Sequence, residues 1–197
     1  MTKRLLGAVL ATILLCSSPP VQAKLVEVWG SGLVGGGMGG GNSNKDFYRW
    51  VRGGAAGLEA GAKLLFISAF IDYLRWFGGD ANANLISINL GGDGTVDLTD
   101  HTALVLRLAG AYYHGTLPSD ATIKMDNVSV TQVNTRGVGI HGGLGLRYTF
   151  AKVFSVGVTP EIGWHYFFGG AESSILDDNS SGWDFNMFAY FRLGLGI

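Results

Sequence analysis

Apolar and polar residues alternate strictly along several stretches of this chain. In the clearest stretch, 155–168, every second position is apolar: Val156, Val158, Pro160, Ile162, Trp164, Tyr166 and Phe168. The positions between them carry glycine or a polar side chain: Ser155, Gly157, Thr159, Glu161, Gly163 and His165. Because successive side chains of a strand point to opposite faces, this pattern predicts a strand with one apolar and one polar face.

The same alternation, in places weaker, occurs in eight segments of the sequence. They are 25–37, 53–64, 66–77, 84–97, 101–114, 137–149, 155–168 and 183–197. Each is long enough to cross a bilayer, because a tilted transmembrane strand needs roughly 9–11 residues. The segment 66–77 is almost wholly apolar, and we orient it by the likeness of Phe77-Gly78-Gly79 to Phe168-Gly169-Gly170. That orientation places Ile71 outward and Asp72 inward.

The connections between these segments alternate in length. Long connections fall at 38–52, 78–83, 115–134 and 169–181, and short ones at residue 65, 98–100 and 150–153. Long loops at one rim and short turns at the other are typical of transmembrane barrels. The glycine run from Gly35 to Gly41 is interpreted as part of a flexible loop rather than a phosphate-binding loop, because no helix and no P-loop lysine follow it.

The composition restricts the classes of function. Charged residues make up 15% of the 197 residues, against roughly 25% in ordinary soluble domains. The net charge of −1 gives no electrostatic attraction to nucleic acid. The single cysteine excludes a disulfide framework and a cysteine-based zinc site.

The first residues have the pattern of an export signal. Lys3 and Arg4 precede an apolar run from Leu5 to Leu15, and Val21-Gln22-Ala23 places slim residues before a cleavage site. We therefore predict a signal peptide over 1–23. The apolar run is about half of the ~20 residues that a spanning helix needs, which argues against an N-terminal membrane anchor.

Aromatic residues gather at the ends of the predicted strands, where membrane barrels carry interfacial girdles. One group adjoins the long connections: Trp76, Phe77, Tyr112, Tyr113, Trp164, Tyr166, Phe167, Phe168 and Trp183. The other group adjoins the short turns: Tyr148, Phe150, Phe154 and Phe191. A lipocalin-like barrel would reverse the pattern, with apolar residues inside, whereas eight strands closed in lipid leave no unpaired edge.

These features together resemble the small outer-membrane barrel family, OmpA- and OmpX-like, down to an alternating last strand at 190–197. The resemblance is architectural and covers 24–197. It implies an all-β domain over 24–197, an eight-stranded antiparallel up-and-down transmembrane β-barrel in the outer membrane of a Gram-negative cell. The expected surroundings of such a monomer are outer-membrane lipid, with no nucleic acid.

The polar faces of the strands carry a nearly balanced set of charges that we expect to form a network in the lumen. Its members are Glu27, Glu59, Lys63, Asp72, Arg107, Arg147, Glu161, Asp184 and Arg192. An eight-stranded barrel is just wide enough for side chains to fill it, and an unpaired buried charge costs several kcal/mol. The interpretation we favour is a structural plug of paired charges. A narrow ion path through the same residues is the alternative.

Two histidines, His141 and His165, share the inward face of neighbouring strands, where they can approach each other. No His-x-Ser pattern like that of outer-membrane lipid A deacylases follows either of them, so we predict no catalytic site, cofactor or metal site. The acidic stretch of Asp93, Asp97 and Asp100 is interpreted as a solvated turn rather than a calcium loop, because it lacks the spacing of one.

The functional prediction is a non-enzymatic barrel with a structural or surface-interaction role through its long extracellular loops. A porin-like narrow channel for small or hydrophobic solutes and an outer-membrane lipid-modifying enzyme are the alternatives. The loop 115–134 is the candidate binding segment. Within it, two alternating stretches flank Asp126-Asn127, which predicts a protruding hairpin over 121–133 that offers strand edges to an extracellular partner.

Overall fold

The computed structural model describes residues 25–42, 47, 52–77, 82–117, 133–168 and 179–196. Eight strands follow one another along these ranges: β1 (Val26–Gly41), β2 (Gly53–Leu64), β3 (Ile67–Phe77), β4 (Ala83–Asp97), β5 (Thr102–Leu117), β6 (Val133–Ala151), β7 (Phe154–Phe168) and β8 (Asn179–Gly196). All eight predicted strands are confirmed. The predicted signal peptide, 1–23, lies outside the described residues.

The strands form one closed barrel in which each strand pairs antiparallel with the next and β8 pairs with β1. Closure gives every strand two hydrogen-bonded neighbours, so the sheet has no edge. The turns β2–β3, β4–β5 and β6–β7 are short and lie at one rim, and the remaining connections lie at the other. The predicted up-and-down topology is confirmed.

Several strands run further toward the long connections than alternation predicts. The clearest case is the glycine run, which is not a loop: Gly35 to Gly41 belongs to β1 and pairs with β8 from Phe188 to Gly182. Backbone groups alone make this ladder, and glycine carries no side chain by which a pattern of faces can be recognised. Strands β5 and β6 also extend beyond their predicted ends, to the pair Leu117↔Val133, which lies inside the predicted loop 115–134. Residues 121–132 of the predicted hairpin lie outside the described ranges.

The outer face of the barrel is predominantly apolar. Outward side chains in neighbouring strands are more than half exposed, among them Leu90 at 66%, Leu108 at 62% and Ile162 at 63%. Exposed apolar area on this scale is unfavourable in water and favourable in lipid. Ile71 is exposed and Asp72 is directed inward, as the orientation of 66–77 predicts.

No helix of sufficient length and apolar character to cross a membrane occurs in the part of the chain that the structure describes.

Apolar side chains fill the half of the lumen that adjoins the long connections. The cluster comprises Phe47, Ala55, Leu74, Trp76, Ala83, Leu85, Ala111, Tyr113, Phe167 and Phe188. Phe47, from the segment between β1 and β2, is 1% exposed, and its ring centroid lies 5.4 Å from that of Phe167. We call this set the aromatic plug. Its packed side chains close the end of the lumen that adjoins the long connections.

Part of the predicted aromatic girdle is therefore wrong. Trp76, Tyr113 and Phe167 are buried in the aromatic plug, while their sequence neighbours Phe77, Tyr112 and Phe168 face outward. Consecutive strand residues point to opposite faces, so two aromatic residues in a row divide between lumen and exterior. At the opposite rim the expectation is confirmed, because Phe150, Phe154 and Phe191 are exposed and pack ring to ring.

Candidate functional site: a charged network in the barrel lumen

Glu59 lies at the centre of the polar half of the lumen. Its β2 position is opposite Ser31 of β1, and Ser31 is opposite Arg192 of β8, so three inward side chains share one row of the sheet. Arg192 Nη2 donates to Glu59 Oε1 over 2.9 Å, and Trp29 Nε1 donates to the same oxygen over 2.6 Å. These charge-assisted hydrogen bonds hold a carboxylate that is almost wholly shielded from solvent.

Arg107 reaches Glu59 from the other side of the lumen. Its Nη1 donates to Glu59 Oε2 over 2.6 Å, and its Nη2 lies 3.5 Å from Asp93 Oδ2. The guanidinium also covers the ring of Phe70 at 4.3 Å from the centroid. Arg107 therefore uses both its charge and its flat surface, which a lysine in the same place does not offer.

Glycine at one position lets Arg107 and Glu161 approach each other. Gly143 lies between them in the sheet, opposite Arg107 on β5 and opposite Glu161 on β7. A Cβ on Gly143 would lie 2.7 Å from Glu161 Cγ, so a larger residue would displace the glutamate. With glycine present, Glu161 Oε1 lies 4.0 Å from Arg107 Nη1.

A chain of hydrogen bonds continues the network through His141. Its Nδ1 lies 3.4 Å from Glu161 Oε2, and its Nε2 lies 3.1 Å from Asn89 Oδ1. Asn89 in turn donates to Asp72 Oδ2 over 2.9 Å, and Ser87 donates to the same oxygen over 3.0 Å. Both ring nitrogens of His141 thus face oxygen acceptors, and the imidazolium form, with two N–H groups, satisfies both.

His165 belongs to a separate cluster. Its Nδ1 lies 3.2 Å from Asp184 Oδ2, and Asn186 donates to Asp184 Oδ1 over 2.7 Å. In the strand register His165 is opposite Gly139, whereas His141 is opposite Gly163, so the two histidines are offset by two residues. Each meets its own carboxylate.

The rest of the charged residues lie nearer the short turns. Lys63 and Glu27 are paired across β1 and β2, with Nζ and Oε2 3.3 Å apart. Arg147 Nη2 lies 3.5 Å from Thr95 Oγ1.

A small cavity lies between these clusters. Its volume is about 70 Å³, room for about five water molecules. Its lining includes Asp72, Glu161, Asp184 and Asn186. Oδ1 of Asp72 and Oδ1 of Asn186 have no hydrogen-bond partner and both belong to residues that line it. Ordered water in the cavity is suited to satisfy these two oxygens.

Among the described residues, the charged groups that are buried or half-buried in the lumen are six carboxylates and four permanent cations, and two histidines lie among them. The carboxylates are Glu27, Glu59, Asp72, Asp93, Glu161 and Asp184, and the cations are Lys63, Arg107, Arg147 and Arg192. Among the same residues no group of three or more histidine, cysteine or acidic side chains is arranged to hold a metal ion.

The nine charged residues taken from the sequence all lie on the inner face, but they do not form one connected set. Glu59, Arg107, Glu161 and Arg192 come together, and Glu27 pairs with Lys63. The partners of Asp72 are Ser87 and Asn89 rather than a base.

Three participants were missed: Asp93, Ser87 and Asn89. The interpretation of Asp93 as part of a solvated turn is wrong, because its side chain is buried and meets Arg107. The β4–β5 turn begins only after Asp97, and Asp93 has the same parity as the inward Ser87 and Asn89. That parity is the signal by which the sequence could have placed all three.

The solved structures that this chain resembles include several small β-barrels. Neisserial surface protein A aligns with a TM-score of 0.53 and 12% sequence identity, over 84% of this chain and 96% of that chain. Ail, the attachment invasion locus protein of Yersinia pestis, aligns with a TM-score of 0.41 and 10% sequence identity, over 86% of this chain and 99% of that chain. The N-terminal β-barrel domain of Pseudomonas aeruginosa OprF aligns with a TM-score of 0.40 and 13% sequence identity, over 82% of this chain and 97% of that chain.

No protein-family model matches the chain, and no curated protein matches it. The likeness to Neisserial surface protein A, at this identity, concerns the fold. Together with the closed sheet, the apolar exterior and the polar interior, it gives the architecture: this chain has the eight-stranded antiparallel fold of the small outer-membrane barrels.

Proposed function

We propose that this protein is an integral outer-membrane β-barrel without enzymatic activity, with a structural or surface-interaction role through its long connections. The observation that carries the proposal is the division of side chains by a closed sheet. Leucine, isoleucine and aromatic residues cover the outside, and paired charges fill the inside. Only a lipid environment makes that division favourable, because no second apolar surface covers the exterior in the described ranges.

The filled lumen favours a structural role over the alternative of a channel. Toward the long connections the aromatic plug occupies the lumen, and toward the short turns Arg107, Arg192 and Glu59 bridge it. A solute on this path meets packed rings and buried ion pairs, and moving one charge of a pair costs several kcal/mol. The cavity between them has room only for a few water molecules.

The geometry around His141 also favours a non-enzymatic role. A hydrolytic site needs a nucleophile within hydrogen-bond reach of the base. Both ring nitrogens of His141 are instead occupied by the side chains of Glu161 and Asn89. Replacement of His141 by Gln is expected to leave lipid composition of the host membrane unchanged, and a lost lipid-processing activity would favour the enzyme instead.

The first test is location and folding in a Gram-negative host. We expect the protein in the outer-membrane fraction, cleaved after Ala23, with faster gel migration before boiling than after and a β-sheet circular dichroism spectrum. A soluble periplasmic protein, or a helical spectrum, would end the proposal.

A second test separates the closed barrel from the channel. Purified protein is added to a planar lipid bilayer, and the current is measured at fixed voltage. We expect no discrete conductance steps, because the aromatic plug and the Glu59 cluster both interrupt the water path. Steps that persist after repeated purification would favour the channel.

A further inference from the structure

Two charged side chains lie on the apolar exterior of the eight strands that the structure describes. In the strands as the structure describes them, Arg75 of β3 and Arg136 of β6 are the charged residues whose side chains have outward parity and are exposed. All other charged strand residues have the inward parity, including Asp97 at the end of β4. A charge on the lipid face is costly at the bilayer centre and nearly free of cost at its surface, so the depth of these arginines matters.

Both arginines lie close to the rim of the long connections. Arg75 is two residues before the end of β3, and Arg136 is three residues after the start of β6. One row of the sheet connects Tyr73, Ile86, His114 and Arg136. The next row toward the rim connects Arg75, Asn84, Thr116 and Asn134. The two arginines therefore lie in adjacent rows of the sheet, near the strand ends at the rim of the long connections.

Between the arginines the outer face is polar. We call the patch the arginine face; it consists of Arg75, Asn84, His114, Thr116, Asn134 and Arg136. It spans the three strand spacings from β3 to β6, or about 14 Å.

The arginine face contains no carboxylate, and neither arginine forms an ion pair with any described residue. Its hydrogen-bonding side chains partly satisfy one another, for example Thr116 Oγ1 with Asn134 Oδ1 at 3.0 Å. Neither guanidinium has a hydrogen-bond or ion-pair partner among the described residues, so its donors are available to a ligand. Guanidinium matches phosphate by paired hydrogen bonds, and it does so better than a lysine ammonium.

We propose that the arginine face binds the phosphate groups of an anionic lipid in the outer leaflet, with Arg75 and Arg136 as the anchoring cations. The inference rests on the proposed function, because it assumes that this rim lies at the outer surface of the membrane. The acyl chains of the bound lipid lie against the outward Tyr73, Ile86 and Ile88 below, and the phosphates meet the arginines above. Aromatic side chains such as Tyr73 hold the apolar boundary at that depth.

The test compares lipids that differ in phosphate. The purified barrel in neutral detergent is titrated with diphosphorylated lipid A, monophosphorylated lipid A or phosphatidylcholine, and bound lipid is counted by native mass spectrometry. The variants are Arg75→Ala/Arg136→Ala and, as the matched control, Lys152→Ala, which removes one exposed cation from a turn at the opposite rim. Gel mobility before boiling verifies that each variant is folded.

We expect the unaltered barrel to bind diphosphorylated lipid A most tightly, monophosphorylated lipid A less tightly and phosphatidylcholine least tightly. Excess inorganic phosphate should weaken the binding of lipid A only slightly. The double arginine variant should bind diphosphorylated lipid A at least about tenfold more weakly, since each cation near a lipid surface contributes about fivefold. Lys152→Ala should bind as the unaltered barrel does. Equal binding by the double variant, or an equal loss in Lys152→Ala, would overturn the inference.

The design separates this inference from the proposed function. A protein that stays soluble and fails to insert into vesicles contradicts the proposed function itself. A barrel that inserts and folds but binds all three lipids equally overturns only the lipid site.

Discussion

Replacing Glu59 by glutamine keeps the volume of the side chain and removes its charge. In the native barrel this carboxylate accepts from Trp29 at 2.6 Å, from Arg107 at 2.6 Å and from Arg192 at 2.9 Å. Removing one partner of a buried ion pair costs about 3–5 kcal/mol, because the other charge stays buried. Arg107 retains Asp93 at 3.5 Å, so we expect the lower end, a loss of about 3 kcal/mol in the free energy of unfolding.

The assay is reversible urea unfolding in detergent micelles, followed by tryptophan fluorescence and by gel mobility without boiling. The control is Glu27→Gln, which also removes one carboxylate but from a single pair with Lys63 near the short turns. The side chain of Lys63 is long enough to turn its ammonium toward the aqueous rim. The free energy of unfolding of this variant should therefore fall by only about 1 kcal/mol.

A double-mutant cycle isolates the Glu59–Arg192 contact. We expect Glu59→Gln and Arg192→Gln to be non-additive by more than about 1 kcal/mol, as is typical of residues in one network. The reasoning is refuted if Glu59→Gln is as stable as the native barrel within about 1 kcal/mol, or if Glu27→Gln is equally damaging.

Three further outcomes are expected. Phe47→Ala should lower the free energy of unfolding by about 3 kcal/mol through the void left in the aromatic plug, whereas the outward Phe150→Ala should lower it by much less; equal losses would contradict the packing. Gly61→Leu should prevent normal folding, measured by gel mobility, because even a Cβ there would lie 2.5 Å from the ring of Trp29. Amides across 121–133 should be protected from hydrogen exchange in detergent if the predicted hairpin forms, and complete exchange within seconds would refute it.

The faces of the strands were predictable because a single physical rule decides them. Successive strand residues alternate between two environments, lipid and lumen, so Glu59 was placed inward from parity. Asp72 followed by the same rule once the likeness of Phe77-Gly78-Gly79 to Phe168-Gly169-Gly170 had oriented its strand. The same rule, applied more strictly, also places Trp76 and Asp93 in the lumen, where the structure has them. Those two errors came from assigning residues by their type, aromatic or acidic, instead of by their position in the strand.

The partners of the lumen charges were not predictable in the same way. Parity tells which residues enter the lumen but not their height, which depends on the stagger between strands. Glu59 on β2 meets Arg107 on β5 across the barrel, and no sequence spacing encodes that contact. The pairing of the glycine run with β8 was hidden for a different reason, since backbone hydrogen bonds leave no trace in side-chain pattern.

The most direct test of the account asks whether the outer face of the barrel contacts lipid. Cysteine replaces Leu108 on the outer face, and in a separate variant Asp100 in the short β4–β5 turn, in a chain whose single cysteine, Cys16, has been changed to serine. Each variant carries a nitroxide spin label in lipid vesicles, and relaxation by oxygen is compared with relaxation by a water-soluble nickel chelate. The account predicts that oxygen dominates at Leu108 and the nickel chelate at Asp100. Dominance of the nickel chelate at Leu108 would contradict a membrane-embedded barrel.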